Sequence, residues 1–118
     1  MERIESPRMT PAGIEATIVS EFYFTAADGV LGESEVEHAH ALAARRPPSL
    51  YLLTFCVLVL RNGFTVTGES ACYSPEDFNP VLGRKIARAY AVNKLWPLMG
   101  YHLKEQLYQA KQPAQAPV

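Results

Sequence analysis

The fold of this chain is decided by LYLLTFCVLVL at residues 50–60, RNG at 61–63 and FTVTGESAC at 64–72. The first segment is almost wholly apolar and the second is rich in β-branched residues, so both are typical of β-strands. Asn62-Gly63 suits a two-residue type I′ turn, because both turn residues must then tolerate a positive φ. We therefore expect a central antiparallel β-hairpin.

The expected turn sets the register of the hairpin. With Asn62-Gly63 as the loop, Val59 pairs with Val66, and this face is expected to carry the core. The opposite face then presents a leucine-rich surface, made by Leu50, Leu52, Leu58 and Leu60. A strand that is apolar on both faces needs cover on both. We expect N-terminal elements or a second copy to cover these leucines, which predicts self-association as a homodimer.

Upstream of the hairpin, the sequence predicts a helix, a short strand and a second helix. Thr10-Pro11 places a hydroxyl N-cap before a proline at the first helical position, and the helix is expected to run to about residue 20. The aromatic run at 22–25 is expected to form a short strand or a packed loop. Ser34 and Glu37 have the spacing of a capping box, which favours a further helix.

Downstream, Asn79-Pro80 repeats the combination of an N-cap with a following proline and is expected to begin a long helix. Its pattern predicts Leu82 and Tyr90 on the inward side. Pro97 removes a helical N–H group, so we expect the helix to kink or break near it.

The predicted fold class is α+β, with an N-terminal helix, the central hairpin and a long C-terminal helix kinked near Pro97. The chain has 118 residues, of which 48% are hydrophobic, and this is enough for one domain of ordinary size. We assign that domain to residues 1–111 and expect a disordered tail at 112–118, where proline, alanine and glutamine dominate.

Composition also restricts the compartment and the class of protein. A net charge of −1 excludes a histone-like polycation. Two cysteines are too few for a disulfide framework, and the start MERIE lacks the pattern of a signal peptide. The longest apolar stretch, 50–60, is too short to cross a membrane. We expect a cytoplasmic protein without a membrane partner.

Charge is unevenly distributed. Residues 1–73 hold five Lys/Arg and nine acids, whereas residues 74–118 hold six Lys/Arg and three acids. Cations and aromatic rings on the expected long helix are candidates for binding an anion or a nucleotide. They are Arg84, Lys85, Arg88, Lys94, Trp96 and Tyr101. The competing interpretation is a solvated helix face with the aromatic side chains in the core, which is the commoner arrangement.

No combination of residues points to a reaction. Cys56 is expected opposite Glu69 rather than a histidine, and Glu69 is a carboxylate without an evident partner. Glu37, His38 and His40 form a weak metal candidate, because in an extended segment only the two imidazoles converge, short of the three or four ligands that zinc takes. We therefore predict that the protein is not an enzyme and has no catalytic residues, metal or cofactor.

Several motifs follow one another in a distinctive order. They are LTFCVLVLRNGFTVTGESAC at 53–72, SPEDF at 74–78, GRK at 83–85 with Ala87, and KLWPLMGY at 94–101. Together with Thr10-Pro11 and YFTA at 23–26, this order resembles the tailed-phage gene-49/gene-66 family of small proteins. The resemblance covers most of the chain outside residues 30–48 and the tail. At Met99 the chain departs from the family pattern, which favours glutamate.

The resemblance implies a phage or prophage gene product that acts in the host bacterial cytoplasm, and it implies no catalytic residues. Small accessory phage proteins commonly act on host machinery by binding, so we expect a counter-defence or host-modulating inhibitor of a host protein complex. One alternative is a protein that sequesters a nucleotide signal. A weaker alternative is a nucleic-acid-binding accessory protein.

Overall fold

The computed structural model describes residues 8–33 and 47–113. In chain order its elements are α1 (Pro11–Ala16), β1 (Ile18–Thr25), α2 (Ala26–Glu33), a 3-10 turn (Pro48–Leu52), β2 (Leu53–Leu60), β3 (Thr65–Ala71), a second 3-10 turn (Pro75–Asp77) and α3 (Pro80–Lys111). The helix predicted from Ser34, the residues Glu37, His38 and His40, and positions 114–118 of the predicted tail lie outside the described residues.

The strands form an antiparallel sheet in the order β1-β2-β3, and α3 lies across one face of it. The predicted α+β class is confirmed. α3 continues through Pro97 without a break. The carbonyl group that loses its helical N–H partner belongs to exposed Asn93, where water can replace the donor. No helix within the described ranges is long and apolar enough to span a membrane.

α1 begins where the capping pattern predicts. The Thr10 hydroxyl oxygen accepts a hydrogen bond from the Gly13 N–H at 3.0 Å. The helix ends at Ala16 rather than near residue 20, because the residues that follow it pair with β2 as the strand Ile18–Thr25. The aromatic run at 22–25 is therefore the second half of a longer strand.

The hairpin is present, but its predicted turn and register are wrong. Leu58 pairs with Val66, so the loop has three residues rather than two. Among the described residues only Gly63 has a positive φ, of 90°, which excludes a type I′ turn through Asn62. The Gly63 N–H donates to the Leu60 carbonyl at 2.8 Å, as in a three-residue loop that ends on a left-handed glycine.

This difference of one residue exchanges the two faces of β2. The side chains that face α3 are buried, and they are Thr54, Cys56, Leu58 and Leu60. The opposite face is half-buried and carries Leu53, Phe55, Val57 and Val59. The cover of Leu58 and Leu60, which we expected from N-terminal elements or from a second copy, comes instead from α3 within the chain and leaves them 0% and 4% exposed.

α3 rests on the sheet through small side chains. The buried positions recur every four residues, and three of them are small, Gly83, Ala87 and Ala91, while the fourth is Leu95. Beneath them, a Cβ atom added to Gly68 would lie only 2.1 Å from the Ala87 carbonyl oxygen. Leu82 and Tyr90, expected on the inward side, are instead 51% and 55% exposed. Small residues form the inward side because they let the helix backbone approach the sheet closely.

Candidate functional site

The six predicted ligand-binding residues all lie on α3, but the structure does not bring them together. Arg84 and Tyr101 are separated by roughly 25 Å of helix rise. Arg88 follows the buried Ala87, whereas Lys94 precedes the buried Leu95, so these two cations project from opposite flanks of the helix.

Arg88 is engaged by two carboxylates. Its Nη1 and Nη2 atoms donate to the two carboxylate oxygens of Glu15 at 2.8 and 2.7 Å. Its Nε donates to Glu21 Oε2 at 2.7 Å, and the Tyr23 hydroxyl donates to the same oxygen at 2.7 Å. Arg88 therefore joins α3 to α1 and β1, and this pairing competes with any role in phosphate binding.

These contacts shift the titration of the surrounding groups. The hydrogen bond from Arg88 lowers the pKa of Glu15. Hydrogen bonds from Tyr23, and then from Arg88, lower the pKa of Glu21. Burial raises the pKa of Tyr23, and its hydrogen bond to Glu21 acts in the same direction. Burial also raises the pKa of the Cys56 thiol, which favours an inert side chain over a reactive thiolate.

The other candidate residues have separate surroundings. The Arg84 guanidinium lies over the Tyr23 ring, 5.7 Å from its centroid, as in a cation–π contact. Lys85 and Lys94 are exposed. Trp96 is half-buried and packs against the core cluster. Tyr101 is 73% exposed. The aromatic pair that would have held a base is thus divided between the core and the solvent.

Two clefts lie at opposite ends of the interface between α3 and the sheet. One, of about 240 Å³, adjoins the β2–β3 loop and includes Arg61 and His102. The other, of about 300 Å³, adjoins the start of α3 and includes Cys72, whose Sγ donates to the Ser74 carbonyl at 3.2 Å. Pockets for drug-sized ligands typically begin near 300 Å³, so one cleft lies below this limit, the other only reaches it, and both are small for a nucleotide. Across residues 8–33 and 47–113, no group of three metal-ligating side chains comes together.

The open face of the sheet, which is the face opposite α3, was not predicted. The strand registers place eleven side chains on it: Ser20, Phe22, Phe24, Leu53, Phe55, Val57, Val59, Thr65, Thr67, Glu69 and Ala71. Phe22 is 57% exposed, and Phe24 stacks on Phe55 with ring centroids 5.3 Å apart. α2 reaches one end of this face, where a Cβ atom added to Gly29 would lie 3.7 Å from the Phe24 ring. The apolar character of β2 on both faces was visible in the sequence, but the face that remains open depends on the register.

Comparison with known proteins identifies the family of the chain. A family model described as "Phage protein (N4 Gp49/phage Sf6 gene 66) family" matches residues 9–107. The chain belongs to this family. The match begins just before α1 and ends within α3, so it includes the whole sheet and the Arg88 network of this phage protein. No curated protein and no solved structure matches the chain.

Proposed function

We propose that this phage accessory protein acts by binding a host protein, as a counter-defence or host-modulating inhibitor, and that the open face of the sheet is its contact surface. Membership of a phage family supports the part of this proposal that makes the chain a phage accessory protein. The exposed aromatic side chains of the open face are the reason for assigning the contact to this surface, because aromatic residues are enriched at protein–protein interfaces.

The chemistry of the open face favours an apolar contact. Glu69 is the one ionisable side chain among the eleven, and it lies opposite Phe55 on the neighbouring strand. Phe22 and Phe24 are 57% and 37% exposed, and each ring can bury further area against a partner. A contiguous apolar patch of this kind typically marks an interaction site.

The size of the open face favours a host protein over a second copy of the chain. Three strands about 4.8 Å apart and about 25 Å long present roughly 400 Å². A stable interface typically buries about 800 Å² on each partner. Two copies stacked through this face alone would therefore associate weakly, whereas an unrelated partner can also extend over α2 and the strand edges.

The test compares two variants in capture from host lysate at physiological salt. Phe22→Ser with Thr67→Lys removes one exposed ring and adds a charge to the open face without changing a buried side chain. The control is Tyr73→Ser, which removes an aromatic side chain that is 99% exposed elsewhere. We expect the wild type and the control to retain the same host protein, and the open-face variant to retain at least tenfold less of it.

Three results would contradict the proposal. The first is that no host protein is enriched over background. The second is equal retention by the open-face variant, confirmed with the purified partner. The third is a dimeric mass by light scattering that the open-face variant converts to a monomeric mass, since this would assign the surface to self-association.

The nucleotide-sequestering alternative has less support. Arg88 is paired with two glutamates, the half-buried Trp96 packs against the core, and the two clefts are small for a nucleotide.

A further inference from the structure

One flank of α3 carries an alternating series of tyrosines and lysines. From Tyr90 to Lys111, residues at alternating spacings of four and three fall on one side of the helix, and every one of them is exposed. We call these residues the tyrosine–lysine stripe: Tyr90, Lys94, Pro97, Tyr101, Lys104, Tyr108 and Lys111. The stripe extends over roughly 32 Å of helix.

The stripe is separate from the surface that holds α3 to the sheet. Tyr90 and Lys94 directly precede Ala91 and Leu95, which are buried, so the stripe lies about 100° around the helix from the buried side. Tyr90, Tyr101 and Tyr108 are 55%, 73% and 54% exposed. Within the described residues, the side chains of the three tyrosines and three lysines form no hydrogen bond or ion pair.

The charge of this flank is positive and uncompensated. α3 contains six Lys/Arg residues and a single acid, Glu105. Glu105 lies beside the stripe, and its Oε1 accepts a hydrogen bond from Gln109 Nε2 at 3.0 Å. The lysines of the stripe thus have no acidic partner within α3 and complement an anionic ligand.

We propose that the tyrosine–lysine stripe binds single-stranded nucleic acid. Lysine ammonium groups attract backbone phosphates, and exposed tyrosine rings offer faces on which unpaired bases stack. Tyr101 and Tyr108 are about 10 Å apart along the helix, with Lys104 between them. Rings and cations therefore alternate along the stripe, as bases and phosphates do along an extended strand.

Other occupants fit the stripe less well. A second helix packed on it as a coiled coil would place Lys94, Pro97 and Lys104 in the seam, where apolar residues are required. Duplex nucleic acid keeps its bases paired and stacked, so it would use the lysines and leave the exposed tyrosines without a role. This surface is distinct from the open face of the sheet, so the inference does not depend on the function proposed above.

The experiment measures anisotropy of a fluorescein-labelled oligothymidine of about 16 nucleotides, the upper end of common single-strand site sizes. We expect saturable binding at low salt. Three lysine contacts predict a log K against log salt slope of about −2, and Lys104→Gln should reduce its magnitude by about 0.7. Tyr101→Ala should weaken binding about tenfold, because the stacking of one base on an aromatic ring typically contributes about a factor of ten to the affinity.

Matched control variants distinguish binding at the stripe from nonspecific electrostatic binding to other lysines of the protein. Lys85→Gln removes an exposed lysine of α3 that lies off the stripe, and Tyr73→Ala removes an exposed tyrosine of a loop. Both should bind like the wild type, and circular dichroism should show all variants equally folded. The proposal is overturned by no binding at 100 μM protein and low salt, by equal loss in Lys85→Gln, or by Tyr101→Ala binding like the wild type.

Competition distinguishes the remaining anionic partners. Unlabelled oligothymidine should displace the probe, whereas an equal charge concentration of duplex DNA, polyglutamate or phosphatidylserine vesicles should displace it at least tenfold less well. Equal displacement by any of these three would assign the stripe to that partner and contradict the preference for single strands.

Discussion

Replacing Gly68 with alanine tests whether the backbone of α3 rests directly on the sheet. The added Cβ atom would lie 2.1 Å from the Ala87 carbonyl oxygen and 2.4 Å from the Ala91 nitrogen. Both are backbone atoms, so no side-chain rotation relieves the overlap. Because Cβ atoms essentially never approach closer than 3.0 Å, α3 must move away from the sheet by about 1 Å.

The energetic consequence follows from what lies between α3 and the sheet. A gap of about 1 Å removes a quarter to a half of the dispersion energy of the atoms that line it. Leu58 and Leu95 are both fully buried here, and burial of each is worth about 1.5–3 kcal/mol. With the strain of overpacking, we expect Gly68→Ala to lower the free energy of unfolding by about 3 kcal/mol.

Urea unfolding followed by fluorescence of the single tryptophan, Trp96, measures this change. The matched control is Gly32→Ala in α2, where an added Cβ has no atom within 4 Å. This control should leave stability unchanged or raise it by up to about 1 kcal/mol, since alanine is the better helix former. A Gly68→Ala protein within about 0.5 kcal/mol of the wild type would refute the close contact between helix and sheet.

Three further predictions concern single side chains. Because Arg88 holds the pKa of Glu15 below the ordinary carboxyl value of 4.5, their pairing stabilises the fold above that pH and is lost as pH falls through the lower folded value. Urea midpoints between about pH 6 and pH 3 should therefore fall less in Arg88→Met than in the wild type, and equal slopes would contradict the pairing. Cys56 is buried and Cys72 half-buried, so Cys72→Ala should abolish the rapid reaction of the native protein with a thiol reagent. Rapid reaction of the remaining thiol in this variant would show that Cys56 is accessible. The buried Thr54 hydroxyl finds no partner among the described groups, so Thr54→Val should raise the free energy of unfolding by about 1 kcal/mol, and a loss measured by urea unfolding would reveal a hidden partner.

The elements that the sequence predicted well are those whose causes are local. The α1 start depends on Thr10, three residues from the N–H group that it caps. The α3 start depends on Asn79, whose Oδ1 accepts hydrogen bonds from the Val81 and Leu82 N–H groups at 3.0 and 3.2 Å. Such contacts recur with the same residue types in many proteins, so a short pattern is sufficient to recognise them.

The hairpin register was not decided by local chemistry. Asn62-Gly63 suits a two-residue loop, and Gly63 equally suits the last position of a three-residue loop. The observed loop places Leu58 and Leu60 under α3 and brings Gly68 beneath Ala87, where the helix needs space. Packing against a helix that begins 20 residues after β2 therefore distinguishes two registers that the turn residues alone do not.

The candidate binding surfaces also depend partly on the local sequence and partly on tertiary packing. The spacing of tyrosines and lysines along α3 can be read directly from the sequence. Their exposure depends on which side of the helix packs against the sheet. Of the four basic residues singled out in the sequence, the fold engages Arg84 and Arg88 with β1 and α1 and leaves Lys85 and Lys94 exposed.

By itself, the sequence determined the α+β class, the starts of α1 and α3, the presence of the hairpin and the family. Each of these depends on residues close together in the chain or on the order of motifs along it. The tertiary structure alone decided which face of β2 is buried and that Arg88 binds Glu21 and Glu15, which lie 67 and 73 residues away. Those outcomes depend on how distant elements pack, because burial and ion pairing are set by neighbours in space and not by neighbours in the chain.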